Sequence, residues 1–201
     1  MRLIDRWVGI PLCFFASFWP LKKAQADSIS TLATNNTHPD TIVFIGIAEI
    51  GALVVAYPAI KETRKQHPKS RICFITAPAG LQTLELMGFE KEDIFLLETT
   101  SIKSLLKGIV NIRFHFKGKR VSAIVLEPFT RFSTLLSAWI GASKRIGCYR
   151  FLNEGVFLGN ILTHRLVYNP HLHISQTYFA LAKALIEPDS AKPLLKEYIP
   201  S

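Results

Sequence analysis

From residue 41 onward this chain alternates short apolar runs with stretches of helical periodicity, and that alternation leaves few folds open to it. Strand candidates are residues 42–47, 71–76, 94–97 and 121–126, with a short fifth at 145–149. Helix candidates at 53–66, 81–87, 102–116 and 132–140 follow the strands in turn. Strands and helices in strict succession predict an α/β domain, its parallel sheet covered on both faces. The opening unit, TIVFIGIAEIGALVVAYPAI, is the clearest: an apolar strand run, a small-residue turn around Glu49, Ile50 and Gly51, then a helix. In a Rossmann-like sheet ligands sit beyond the carboxyl ends of the strands. The turn that holds Glu49 is therefore the first place to look for chemistry.

Past Arg150 the pattern loosens. Asn153-Glu154-Gly155 and Gly159-Asn160 mark turns, and residues 162–168 read as one more strand. A last helix over 174–186 carries Phe179, Leu181, Ala182 and Leu185 at helical spacing. Pro188, Pro193 and Pro200 then break the chain into a tail.

The N-terminal segment, MRLIDRWVGIPLCFFASFWPLKK, sets an apolar run from Trp7 to Trp19 between Arg2/Arg6 and Lys22/Lys23. A helix of that length spans about 20 Å, short of the roughly 30 Å of a bilayer core, and Pro11 interrupts it. A simple transmembrane helix is not expected. Two readings remain. One is a signal peptide, with Ala24-Gln25-Ala26 resembling a cleavage site. The other is an interfacial anchor, with both tryptophans at headgroup level and the flanking cations on anionic lipid. Lys22 and Lys23, placed just before the cleavage-like triplet, favour the anchor. The chain thus divides into a membrane-associated segment (1–23), a polar linker (24–40), a Rossmann-like domain (41–187) and a tail (188–201).

The 201 residues are 49% hydrophobic and 19% charged, which suits one domain with a buried core. Lys and Arg number 24 against 15 acidic residues, a formal charge of +9. Anionic partners follow from that balance: acidic headgroups, phosphorylated glycans or nucleotides. No basic run interleaved with aromatics and no nucleic-acid motif occurs, so nucleic acid is not an expected partner. Cys13, Cys73 and Cys148 are odd in number and far apart. They read as free thiols, Cys73 and Cys148 buried in strands, in a reducing compartment. His171 and His173, with His164 nearby, have no acidic residue at ligand spacing. Helix-entry hydrogen bonding is the expected use, and no metal is expected. No Gly-x-Gly-x-x-Gly or P-loop sequence points to an independent nucleotide site.

Several short motifs, taken in order, resemble the N-terminal half of bacterial glycosyltransferase family 9, which includes the ADP-heptose:lipopolysaccharide heptosyltransferases. They are Glu49-Ile50-Gly51, Tyr57-Pro58-Ala59, Arg131-Phe132-Ser133, Gly141-Ala142, Arg145-Ile146-Gly147, Tyr149-Arg150-Phe151, Asn153-Glu154-Gly155 and residues 171–176. Asp5-Arg6-Trp7 with Gly9-Ile10-Pro11 resembles a membrane-associated subgroup. The resemblance implies a GT-B architecture, in which two Rossmann-like domains face each other, the first binding acceptor and the second the nucleotide-sugar donor. This chain would supply the first, with the donor domain missing from it. One departure stands out. The family carries Gly-Asp in the first turn, its aspartate acting on the acceptor hydroxyl, whereas Gly51 is here followed by Ala52.

If the resemblance holds, Glu49 is the candidate catalytic base, against the plainer reading of a turn carboxylate favoured by the helix dipole. Gly51 would let an anionic group approach backbone amides, or simply make a tight turn. Glu127, Phe129 and Arg131 should open onto the same cleft. Glu127 would meet acceptor hydroxyls and Arg131 an acceptor phosphate, unless the two pair to cap the next helix. Arg150 and Asn153 complete the acceptor-binding candidates, with a plain turn as their alternative. The implied reaction is metal-independent, inverting transfer from a nucleotide-sugar such as ADP-heptose to a lipid-linked or lipopolysaccharide-type acceptor. It would run at the cytoplasmic face of a bacterial inner membrane, without a cofactor, with a separate donor-domain chain as one candidate partner. The rivals are a non-catalytic membrane-anchored binding module and a truncated gene product.

Overall fold

The computed structural model describes residues 39–186 apart from Glu49, residues 152–157 and Gly159. The expected anchor, most of the linker and the tail lie outside the described residues. The strands are β1 (Thr41–Ile45), β2 (Arg71–Thr76), β3 (Ile94–Leu96), β4 (Val121–Val125), β5 (Lys144–Phe151) and β6 (His164–Tyr168). The helices are α1 (Ile50–Gln66), α2 (Leu81–Leu86), α3 (Ile102–Phe116), α4 (Arg131–Trp139) and α5 (Ile174–Lys183). A 3-10 turn, Ala184–Ile186, closes the last helix.

The six strands form one sheet in the order β3-β2-β1-β4-β5-β6, and every pairing is parallel. That order is Rossmann-like, built outward in both directions from a central first strand. β1 is buried along its whole length because both of its faces are covered. Ile42 and Phe44 point into one core layer, beneath α1, α2 and α5, where Leu53, Ile60, Leu84 and Leu181 meet them. Val43 and Ile45 point into the other, beneath α3 and α4, with Ile112, Phe116, Leu136 and Ile140. This is why the strands read as continuous apolar runs and not as alternating ones. Phe44 stacks on Phe74 at 5.7 Å, and Phe89 meets the Phe74 ring at 4.5 Å, locking β1 and β2 to the loop after α2.

Ile50 and Gly51, expected in the turn, instead form the first residues of α1. β5 runs further than its expected five residues, with its register shifted against β6 between Cys148 and Arg150. Both described cysteines, Cys73 and Cys148, are free and buried, and burial pushes both thiols up to about 12.

Candidate functional site

The strand order reverses direction between β1 and β4, and in open α/β sheets this is where a crevice forms at the carboxyl ends. Two turns meet there. The first leaves β1 through Gly46, Ile47 and Ala48 and enters α1; the second leaves β4 through Leu126, Glu127, Pro128, Phe129 and Thr130 and enters α4. The sheet ladder continues one step into both, with Gly46 N–H donating to Ile75 O at 3.0 Å and Leu126 N–H to Ile45 O at 2.9 Å.

Glu127 ties the two turns together. Its Oε1 accepts a hydrogen bond from Ile47 N–H at 2.6 Å and another from Ala48 N–H. Its Oε2 accepts from Ser133 Oγ at 2.5 Å. The residue is only 6% exposed. A buried carboxylate is stable only when its lone pairs are satisfied, and here two backbone amides and a hydroxyl do so. Glu127 therefore holds the β1 turn against the first turn of α4. These links to Ser133 and to the β1 turn give Glu127 a structural role of its own. The amides of Ile47 and Ala48 are members of the site that the sequence did not point to, and Ser133, quoted above only within a motif, gains a role here.

Phe129 adopts a left-handed backbone conformation, with φ at 62°, which a bulky residue rarely takes. Such a conformation costs of order 1–3 kcal/mol and persists where the surroundings impose it. The Phe129 ring meets Tyr168, at the end of β6, edge-to-face at 5.7 Å. The pair thus reaches from the β4 turn over β5 to the edge strand. Arg131 is the first residue of α4, at the positive end of the helix dipole, and is buried.

On the other side of the crevice, Ala48, Ile50 and Gly51 are exposed. A Cβ built on Gly51 would meet nothing within 4 Å, so the glycine leaves open space at the start of α1. Ala52, next in the chain, is buried and belongs to the core beneath α1. Glu49 and Asn153 lie outside the described residues, and Arg150 is placed only as backbone in β5. The β1 and β4 turns thus bring together Gly51, Glu127, Phe129 and Arg131 at one end of the sheet.

Two other motifs serve the interior. Arg145 is 2% exposed, and among its partners are the carbonyls of Ala142 at 2.6 Å and Ile161 at 2.5 Å. Tyr57 donates its hydroxyl to Met87 O at 3.4 Å and sets its ring against Phe89. His173 caps α5, its Nδ1 accepting from Ser175 N–H at 3.3 Å, the helix-entry role expected of it. Among the described residues no cluster of three or more His, Cys, Asp or Glu side chains has metal-binding geometry, and no helix is long and apolar enough to cross a membrane.

No family model matches the chain, and no curated protein matches its sequence. Solved structures match its fold. Against E. coli heptosyltransferase WaaC with ADP, the likeness has a TM-score of 0.53 at 10% identity, covering 76% of this chain and 49% of that one. Against the structure of the same enzyme with ADP-2-deoxy-2-fluoro heptose, the TM-score is 0.55 at 8% identity, with 76% and 50% covered. E. coli ADP-heptose lps heptosyltransferase II gives 0.53 at 18% identity, with 71% and 40% covered. The chain spans about half the length of these enzymes or less, and it shares with them a Rossmann-like, glycosyltransferase-type fold.

Proposed function

We propose that this domain is the acceptor-side half of a heptosyltransferase-like glycosyltransferase of family 9. Its partner half would bind the nucleotide-sugar and would come from residues beyond the matched portion, in the same polypeptide or a separate one. The observation that carries this reading is the pair of turns at the β1/β4 reversal, tied by Glu127, in a fold like that of half or less of each heptosyltransferase. A transferase of this kind must hold an acceptor hydroxyl next to a base and must keep that geometry fixed while the donor half closes. Glu127 supplies the fixity, and Glu49, in the turn that Glu127 holds, is our choice of base. Gly51, Phe129, Arg131, Arg150 and Asn153 remain the proposed acceptor contacts, with a lipid-linked or lipopolysaccharide-type glycan as acceptor at the cytoplasmic face of a bacterial inner membrane. The proposed donor is a nucleotide-sugar such as ADP-heptose, and the transfer is inverting and free of metal.

The test is to titrate the 201-residue chain with a lipopolysaccharide-core acceptor and, separately, with ADP-heptose, following amide resonances at 46–48 and 129–131. Acceptor alone should move them. Shifts with the nucleotide-sugar alone would make this the donor half and overturn the reading, as would silence with both. In an assay completed by a donor half, Glu49→Gln should lower turnover roughly 10²- to 10⁴-fold; unchanged turnover would remove Glu49 as the base.

The second reading, a non-catalytic binding module, is favoured by Ala52, whose buried methyl can accept no proton. Acceptor-induced shifts together with no transfer in the completed assay would select it.

A further inference from the structure

Helix α3 carries two apolar stripes. One, made of Leu105, Ile109, Ile112 and Phe116, packs into the core beside α4. The other consists of Ile102, Leu106, Val110 and Phe114, four residues apart and so aligned along one side of the helix. These are 74%, 56%, 41% and 67% exposed. Among the described residues nothing covers this stripe of large side chains along a 15-residue helix, and such patches mark interaction surfaces.

The charge of the helix indicates what covers that stripe. Lys103, Lys107 and Arg113 are exposed on α3, and Lys117 and Lys119 follow in the next turn. No Asp or Glu occurs anywhere from Thr99 to Leu126. A second copy of the chain, meeting this face through its own, would set like charges against each other. The N-terminal segment, with Arg2, Arg6, Lys22 and Lys23 against Asp5 alone, is cationic too. An anionic lipid surface has the opposite charge and also accepts apolar side chains. Long Lys and Arg stems can lie along the apolar surface while their heads stay in the headgroup layer. Trp139 completes the arrangement. It is half exposed, and its indole Nε1 donates to Ile109 O at 3.3 Å, so that it stands beside the stripe, a place that suits an aromatic ring at the membrane–water interface.

We infer that the outer face of α3, formed by Ile102, Leu106, Val110 and Phe114 with Lys103 and Lys107, docks the folded domain on an anionic bilayer. The contact is separate from any made by the N-terminal segment, and it does not depend on the glycosyl-transfer reading. Because α3 follows β3, its first turn lies at the carboxyl end of the sheet. Docking along α3 therefore lays the helix axis along the lipid surface, with the carboxyl end of the sheet at one end of the contact.

Flotation of the full chain with phosphatidylcholine vesicles, with and without phosphatidylglycerol, tests this. The chain should partition to the anionic vesicles. Lys103→Glu/Lys107→Glu should lower partition roughly tenfold or more, since each cation near such a surface is worth about 1 kcal/mol. Leu106→Asp/Phe114→Asp should lower it by a similar factor; Leu106→Gln/Phe114→Gln serves if the aspartates perturb the fold. In a Trp7→Phe/Trp19→Phe form, brominated anionic lipid should quench Trp139. Partition unchanged by both pairs of substitutions, or Trp139 unquenched while the protein is bound, would overturn the inference. A chain that ignores vesicles but dissociates from a dimer on Leu106→Asp/Phe114→Asp would assign the face to a second copy. Failure to bind vesicles with retained capture of an acidic protein would assign it to that protein.

Discussion

At the scale of single residues, the geometry around Glu127 gives a definite expectation. Removing its carboxylate leaves the amides of Ile47 and Ala48 and the Ser133 hydroxyl short of acceptors. Glu127→Ala should therefore cost about 2–4 kcal/mol, more than one ordinary hydrogen bond. Glu127→Gln keeps one oxygen for the two amides and should cost about half as much. Urea denaturation midpoints measure both. Gly51 sits in open space at the start of a helix, so Gly51→Ala should leave stability unchanged or raise it by up to about 1 kcal/mol. Any loss of acceptor binding in that variant would then report a ligand's close approach and not a fold defect. Glu127, Phe129 and Arg131 could be placed near one another from sequence because they follow a recognisable strand. That Glu127 turns inward could not, because two of its partners, Ile47 and Ala48, lie 80 and 79 positions away. The left-handed Phe129 was hidden for another reason: glycine advertises that conformation and phenylalanine does not.

Elements were the more legible level. α3 has its expected bounds and so does β2, since each is an unbroken apolar pattern between clear turn residues. The start of α1 and the bounds of β5 were not, because Ile50 and Gly51 look like turn and Lys144 looks like surface, while all three belong to regular structure. Arg145 marks the limit of reading by polarity. A charged side chain is normally assigned to solvent, yet this one is buried, with its guanidinium on the carbonyls of Ala142 and Ile161. It fastens the start of β5 to the segment that leads into β6, where Thr163 N–H also donates to Arg145 O at 2.9 Å. Arg145→Met, close in volume, should cost about 3 kcal/mol or more, because charge-assisted hydrogen bonds are worth roughly 1.5–3 kcal/mol each. Hydrogen exchange should show the loss first in β6, the edge strand, and least in β1.

For the molecule as a whole, the two buried thiols predict a pH response. Each has an ordinary value of 9.0 raised to about 12 by burial. The folded state therefore keeps protons that the unfolded chain releases. Their contribution is fully present below about pH 9 and is lost as the pH rises toward 12. Stability measured by urea midpoints should fall across that window, and less steeply in a Cys73→Ala/Cys148→Ala chain. Neither thiol should react with a water-soluble disulfide reagent at neutral pH until the protein is unfolded. The topology has a consequence on the ribosome as well. β1 is the earliest strand of the domain to be made, yet it lies in the middle of the sheet, and its second neighbour, β4, pairs Val121 with Thr41. At translation rates of roughly 5–20 residues per second, this fully buried strand waits several seconds, half-zipped to β2, with one ladder of amides unclaimed. Synthesis order and burial order are thus inverted in this domain, and chaperone dependence should be set by that interval more than by the stability of the finished fold.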